Sequence, residues 1–124
     1  MITKIRIQNF RAIKDLQLEL RPFQVLIGDN NSGKTTFLDA LLCLQKMSMF
    51  ALSQAWTGSR FDFVRNLRVN ADAAEIAWEL EMDDATRYTL AVGLRGSARL
   101  VVLDEALNLN NTSLYRRKWD PRGQ

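Results

Sequence analysis

The sequence predicts a mixed α/β fold in which a sheet feeds a glycine-rich loop into one long helix, with an antiparallel meander beside them. Three observations predict it. An apolar run of strand length, Phe23-Gln24-Val25-Leu26-Ile27, leads into Gly28-Asp29-Asn30-Asn31-Ser32-Gly33-Lys34-Thr35-Thr36. A strong helix-forming segment follows, from Lys34 to about Leu52. After Glu75, three segments alternate apolar and polar residues and are separated by short polar turns, the pattern of consecutive antiparallel strands.

Taken in order, Ile5 and Ile7 alternate with Lys4, Arg6 and Gln8, a half-buried strand. The stretch from Asn9 to Asp15 breaks the alternation and should turn. Leu16, Leu18 and Leu20 then alternate with Gln17, Glu19 and Arg21, giving a second strand antiparallel to the first that Pro22 ends. The third strand, 23–27, carries the loop. In the long helix, Leu38, Leu41, Leu42, Gln45 and Met49 recur at helical spacing and read as core. From Ser53 to Asn70 the periodicity is lost, with a helical turn within 61–67. Ile76, Trp78, Leu80 and Met82 share one face of the next strand, and Asp83-Asp84 turns it. Tyr88, Leu90, Val92 and Leu94 share a face of the following one, Gly96-Ser97 turns again, and 98–103 reads as the last strand. Residues 108–124 read as a polar tail. Its Arg116-Arg117-Lys118 lies beside Tyr115 and Trp119, either as a contact for a phosphate backbone or as a solvated surface. The whole is one domain: 1–52 strands, loop and first helix, 53–73 irregular, 74–107 antiparallel subdomain, 108–124 tail.

Composition narrows the chemistry. The chain has 124 residues, 47% of them hydrophobic and 25% charged, with a net charge of +3. That fits a soluble globular domain whose mild basic bias permits contact with nucleic acid without arguing for it. No histidine is present, so histidine catalysis and histidine metal ligation are excluded. The lone Cys43 cannot form an intramolecular disulfide and fits a cytoplasmic location. No apolar run approaches the ~20 residues of a membrane span, so no membrane partner is expected.

The loop fits G-x-x-x-x-G-K-[ST] at every fixed position, and the pattern states a mechanism. Gly28 and Gly33 let the backbone approach an anion without an intervening Cβ. Successive backbone N–H groups in such a loop can form a nest for phosphate oxygens. Lys34 can reach the β- and γ-phosphates, and the Thr35 hydroxyl can ligate Mg²⁺. The helix beginning at Lys34 adds free N–H groups and the positive end of its dipole. Mg-ATP is the expected ligand.

Ile5-Arg6-Ile7-Gln8-Asn9-Phe10-Arg11-Ala12-Ile13, followed by Val25 to Thr36, resembles the amino terminus of the RecF/SMC/OLD-like ATPases, relatives of the ABC-ATPase heads. The resemblance covers residues 1–52, and the meander is similar to the antiparallel subdomain of those heads. It implies a P-loop NTPase (ABC-ATPase-like) amino-terminal lobe in which residues Asn30 to Thr36 wrap the triphosphate and Arg11 lies near the nucleotide. It makes Gln54 a candidate Mg²⁺ sensor. It also implies head-to-head homodimers, or pairing with a carboxy-terminal ATPase half, and work on DNA in repair, maintenance or phage defence.

The family's hydrolytic aspartate and glutamate have one counterpart, in Leu100-Val101-Val102-Leu103-Asp104-Glu105, which matches a Walker B pattern. There Asp104 would hold Mg²⁺ through water and Glu105 would polarise the attacking water. No signature motif precedes this segment, so a strand-end acidic pair without catalytic role is the other reading. Three functions stay open: a lobe of a larger ATPase, a compact stand-alone NTPase using Asp104 and Glu105, and a non-catalytic interaction module.

Overall fold

A computed structural model describes residues 2–20, 34–49, 52–56, 63–67, 75–95 and 99–120. They form a six-stranded sheet with one long helix on one face. The elements are β1 (Ile2–Phe10), β2 (Ile13–Glu19), α1 (Lys34–Met49), α2 (Leu52–Ala55), α3 (Phe63–Asn66), β3 (Glu75–Met82), β4 (Thr86–Arg95), β5 (Arg99–Leu109) and β6 (Thr112–Lys118). The strand order is β2-β1-β3-β4-β5-β6, and every named pairing is antiparallel. The expected strand at 23–27 and the Gly96-Ser97 turn lie outside the described residues.

Alternation sorts the two faces. Ile5 and Ile7 of β1 stand opposite Leu18 and Leu16 of β2 and opposite Leu80 and Trp78 of β3. Leu90 and Val92 of β4 continue that apolar face. Onto it pack Phe37, Ala40 and Cys43 of α1, with Ala55, Trp56 and Phe63 in the same core. The other face is charged. Arg6 makes a two-pronged bond to Asp15, at 3.0 and 2.7 Å, and Arg87 reaches Glu79 and Glu81 at 3.3 and 2.7 Å. Such exposed pairs hold register more than they add stability, since each is worth about 1 kcal/mol or less. The Asp15 carboxyl is held below the usual carboxylate range by its bond from Arg6.

Two expectations are corrected here. The buried stripe of α1 is Phe37, Ala40 and Cys43, whereas Leu38 is 46% and Met49 67% exposed. The helix carries apolar residues nearly all round, so its periodicity does not fix which face docks. The sheet decides: the buried Trp78 indole Nε1–H donates to the Ala40 carbonyl at 3.0 Å, selecting the side of the helix that holds Ala40. The second correction concerns the carboxy-terminal region. The strand expected over 98–103 runs on to Leu109, and residues 112–118 of the expected tail pair with it as β6. Asn110 and Asn111 make the turn, both at positive φ (49° and 66°), the two-residue hairpin geometry that asparagine tolerates.

Because Trp78 joins the sheet to the helix backbone inside the core, Trp78→Phe removes the bond while keeping most of the packing. It should lower unfolding stability by about 1–3 kcal/mol in denaturant titrations followed by circular dichroism. A loss below about 0.5 kcal/mol would show that the bond does not help seat the helix.

Candidate functional site

The site that sequence points to begins where α1 begins. Gly28, Asn30, Asn31, Ser32 and Gly33 lie outside the described residues. Lys34, Thr35 and Thr36 form the first turn of α1, and Thr35 is exposed. The amide groups of a first helical turn have no intrahelical acceptor and point along the axis toward whatever precedes the helix. An exposed hydroxyl at Thr35 fits the oxygen-donor chemistry that Mg²⁺ requires. Among the described residues no group of three or more His, Cys, Asp or Glu side chains is placed to hold a metal.

Arg11 connects to this helix. It sits in the tight turn between β1 and β2 at φ 53°, and Asn9 at φ 64°. That left-handed conformation costs a non-glycine residue about 1–2 kcal/mol, so neighbouring contacts must hold it. The Arg11 amide donates to the Asn66 carbonyl at 2.7 Å. Its Nε donates to Asn66 Oδ1 at 2.6 Å, and its Nη1 donates to Asp39 Oδ2 at 2.8 Å. Asp39 and Asn66 are both buried, whereas the Arg11 side chain is partly open. Phe10 lies under the guanidinium, 5.1 Å from ring centre to Cζ. The turn, the loop helix and α3 therefore meet at one guanidinium. Asp39 and Asn66 escaped the sequence reading. Asp39 sits one helical turn after Thr35, a spacing that puts the two on one helix face. Nothing in the sequence around Asn66 marks it.

Asp104 and Glu105 occupy a different place. Both lie within β5, between β4 and β6, and as consecutive strand residues they point to opposite faces. Asp104 pairs with Arg116 at 3.1 Å on the charged face. On the apolar face, Glu105 accepts a 2.6 Å bond from the Tyr88 hydroxyl and pairs with Arg117 at 3.3 Å. Glu105 borders an open cavity of about 950 Å³ between α1 and the apolar face of the sheet, lined from β1 and β3 as well as from β4 to β6. The helix residues lining it run from Leu41 to Ser48, not from the first turn. Glu105 thus faces the later part of α1, beginning about 9 Å along the axis from Thr35. The sheet does not present the two carboxylates together, and each is engaged by an arginine of β6. Gln54, in α2, is exposed.

Burial first, and then the bond to Glu105, push the Tyr88 hydroxyl well above its ordinary value. A group whose proton is held more tightly in the folded chain stabilises fully below its unfolded pKa, about 10 for tyrosine, and loses that contribution as pH rises toward the folded value. Unfolding free energy should therefore fall between pH 9.5 and 11.5, as ~10 marks the unfolded tyrosine. Tyr88→Phe should flatten that fall in denaturant titrations, and an unchanged slope would show that Tyr88 does not retain its proton by this contact.

The chain is similar to known proteins over part of their length. The chain is 36% identical over 80 residues to the DNA replication and repair protein RecF of Erwinia tasmaniensis, covering 61% of this chain and 22% of that protein. It is 33% identical over 86 residues to RecF of Cronobacter sakazakii, covering 66% and 24%. An OLD nuclease of Thermus scotoductus is 39% identical over 41 residues, 33% of this chain and 8% of that one. The chain thus spans less than a quarter of the length of these curated relatives. A solved structure from work on ATP-driven dimerization and DNA-stimulated activation of SMC ATPases shares the fold. Its TM-score is 0.52 at 16% identity, over 92% of this chain and 72% of that one. These matches bear out the resemblance to the RecF/SMC/OLD-like group. The family model described as AAA ATPase domain matches residues 1–112, and the chain belongs to that family.

Proposed function

We propose that this chain is the nucleotide-binding lobe of an ATPase head, binding Mg-ATP with the loop and the first turn of α1. The observation that carries the reading is the junction itself: the Gly28-to-Thr36 motif runs straight into a helix that begins at Lys34, with Thr35 exposed at its start. In this reading Gly28, Asn30, Asn31, Ser32 and Gly33 wrap the triphosphate with backbone amides. Lys34 and Thr36 complete the cradle, and Thr35 holds Mg²⁺. The ion, when bound, neutralises charge on the β- and γ-phosphates. Arg11 belongs to the site through Asp39 of the same helix.

The exposed Leu38, Leu42 and Met49 on the outer side of α1 support a lobe that works against further protein. The names of the relatives support a setting in DNA repair or maintenance, with phage defence as a further setting. The likeness to an SMC ATPase structure supports nucleotide-dependent head dimers, working on DNA in the cytoplasm. A stand-alone NTPase using Asp104 and Glu105 has the opposed orientation of the two carboxylates and their bonds to Arg116, Arg117 and Tyr88 against it.

Calorimetry with Mg-ATP, with phosphate release followed in the same sample, tests the reading. The wild type should bind, and Lys34→Ala should weaken binding at least ~tenfold, the scale of a charge-assisted phosphate contact. Turnover by the chain alone should stay at background and be indifferent to Glu105→Gln. Equal binding by Lys34→Ala would overturn the nucleotide site. Steady turnover abolished by Glu105→Gln would instead establish the stand-alone enzyme.

A further inference from the structure

The six strands of the sheet span about 24 Å at a spacing of ~4.8 Å, whereas one helix with its side chains covers about 10 Å. α1 packs over β1 and β3, where Trp78 bonds to it. Beside it the apolar face continues across β4 and β5. The open cavity of about 950 Å³ lies there, with Leu41 and Leu44 of α1 on one side and Leu90, Leu100 and Val102 of the sheet on the other. That volume is close to two turns of a helix about 10 Å across. The charges of the lining are unequal: Arg99, Arg117 and Lys118 stand against one carboxylate, Glu105. Glu105 pairs with Arg117 at 3.3 Å. Arg99 and Lys118 are exposed and form no ion pair among the described residues. An apolar interior thus adjoins two uncompensated cations.

We propose that this cavity receives an amphipathic helix of a partner polypeptide, with its apolar stripe against Leu100 and Val102 and its flanking carboxylates near Arg99 and Lys118. A helix laid there extends the layer that α1 begins, and a wide apolar sheet face is buried by such a layer of helices. Its apolar anchors recur at i, i+3, i+4 and i+7, the pattern by which a helix enters a groove. Met47, on the α1 side of the cavity, adapts its shape to different apolar anchors. The two free cations choose the sign of the partner. Carboxylates beside the stripe gain contacts there, whereas ammonium groups in the same places are repelled. The docking uses neither the phosphate loop nor the first turn of α1, and it takes place without nucleotide.

Fluorescence anisotropy with a dye-labelled helical peptide tests this docking. The peptide carries leucines at i, i+3, i+4 and i+7 flanked by glutamates, and a second peptide has lysines in place of the glutamates. The acidic peptide should bind saturably, and the lysine peptide at least ~tenfold more weakly. Arg99→Glu and Lys118→Glu should each weaken the acidic peptide roughly threefold, the scale of an exposed ion pair. Lys14→Glu makes the same charge change on β2, the opposite edge strand, and should alter affinity less than about twofold. Leu100→Trp fills the cavity and should abolish binding. Overpacking can unfold that variant, and the two exposed charge reversals then decide the matter without it. Absence of saturable binding, equal affinity for the two peptides, or an equal loss in Lys14→Glu and Lys118→Glu would overturn the proposal. Sodium decanoate, titrated in parallel, and sedimentation of the chain alone check the other occupants. Saturable decanoate binding without peptide binding would assign the cavity to a small amphiphile, and a dimer broken by Lys118→Glu would assign it to a second copy; either result would also overturn the proposal.

Discussion

The seating of α1 on the apolar face of the sheet is the constraint from which the rest follows. Two polar contacts set its phase inside a packed interface. Near its middle, Trp78 donates to the Ala40 carbonyl. Next to that residue, Asp39 takes Arg11 from the β1–β2 turn. Consecutive helix residues point about 100° apart, so these contacts fix both the rotation of the helix and the direction in which its first turn opens. A phosphate cradle needs that kind of fixity. Backbone amides serve an anion only when their directions are set before it arrives.

The carboxy-terminal half of the sheet works differently. The β5–β6 hairpin carries cross-strand ion pairs on both faces, Asp104 with Arg116 on one and Glu105 with Arg117 on the other, and the Tyr88 hydroxyl of β4 donates to Glu105. Strand β5 continues past the acidic pair to Leu109, and the next strand brings arginines to meet both carboxylates. The basic run at 116–118 is likewise accounted for in part by the hairpin, since Arg116 and Arg117 are matched to acids on β5.

Much of this was legible in the sequence. Strict alternation gave β3 and β4 nearly to the residue and the middle of β1, because one face of each is buried and the other is charged, while the expected turn from Asn9 to Asp15 is the shorter one between Phe10 and Ile13. The start of α1 followed from the motif. Its buried face did not, because Leu38 and Leu42 are as apolar as Phe37 and Ala40, and the contacts of Trp78 and Arg11 with the helix distinguish them. β6 was missed because its seven residues are all exposed and mostly polar, so burial leaves no periodicity there. The Asn110-Asn111 pair was the available signal, a dipeptide suited to two consecutive positive φ values. The Arg11–Asp39–Asn66 cluster joins three segments far apart in the chain, and such pairings arise from tertiary packing that local pattern does not encode.

The first turn of α1 is proposed to hold the phosphates of Mg-ATP, on a helix that the β1–β2 turn grips through Arg11 and Asp39. Hydrogen exchange followed residue by residue, with and without Mg-ATP, tests it most directly. The account predicts added protection over the loop and first half of α1, extending to the turn at Arg11 and to Asn66, with the β5–β6 hairpin unchanged. Protection confined to the cavity beside Glu105 and Arg117, with no change at the start of α1, would contradict it.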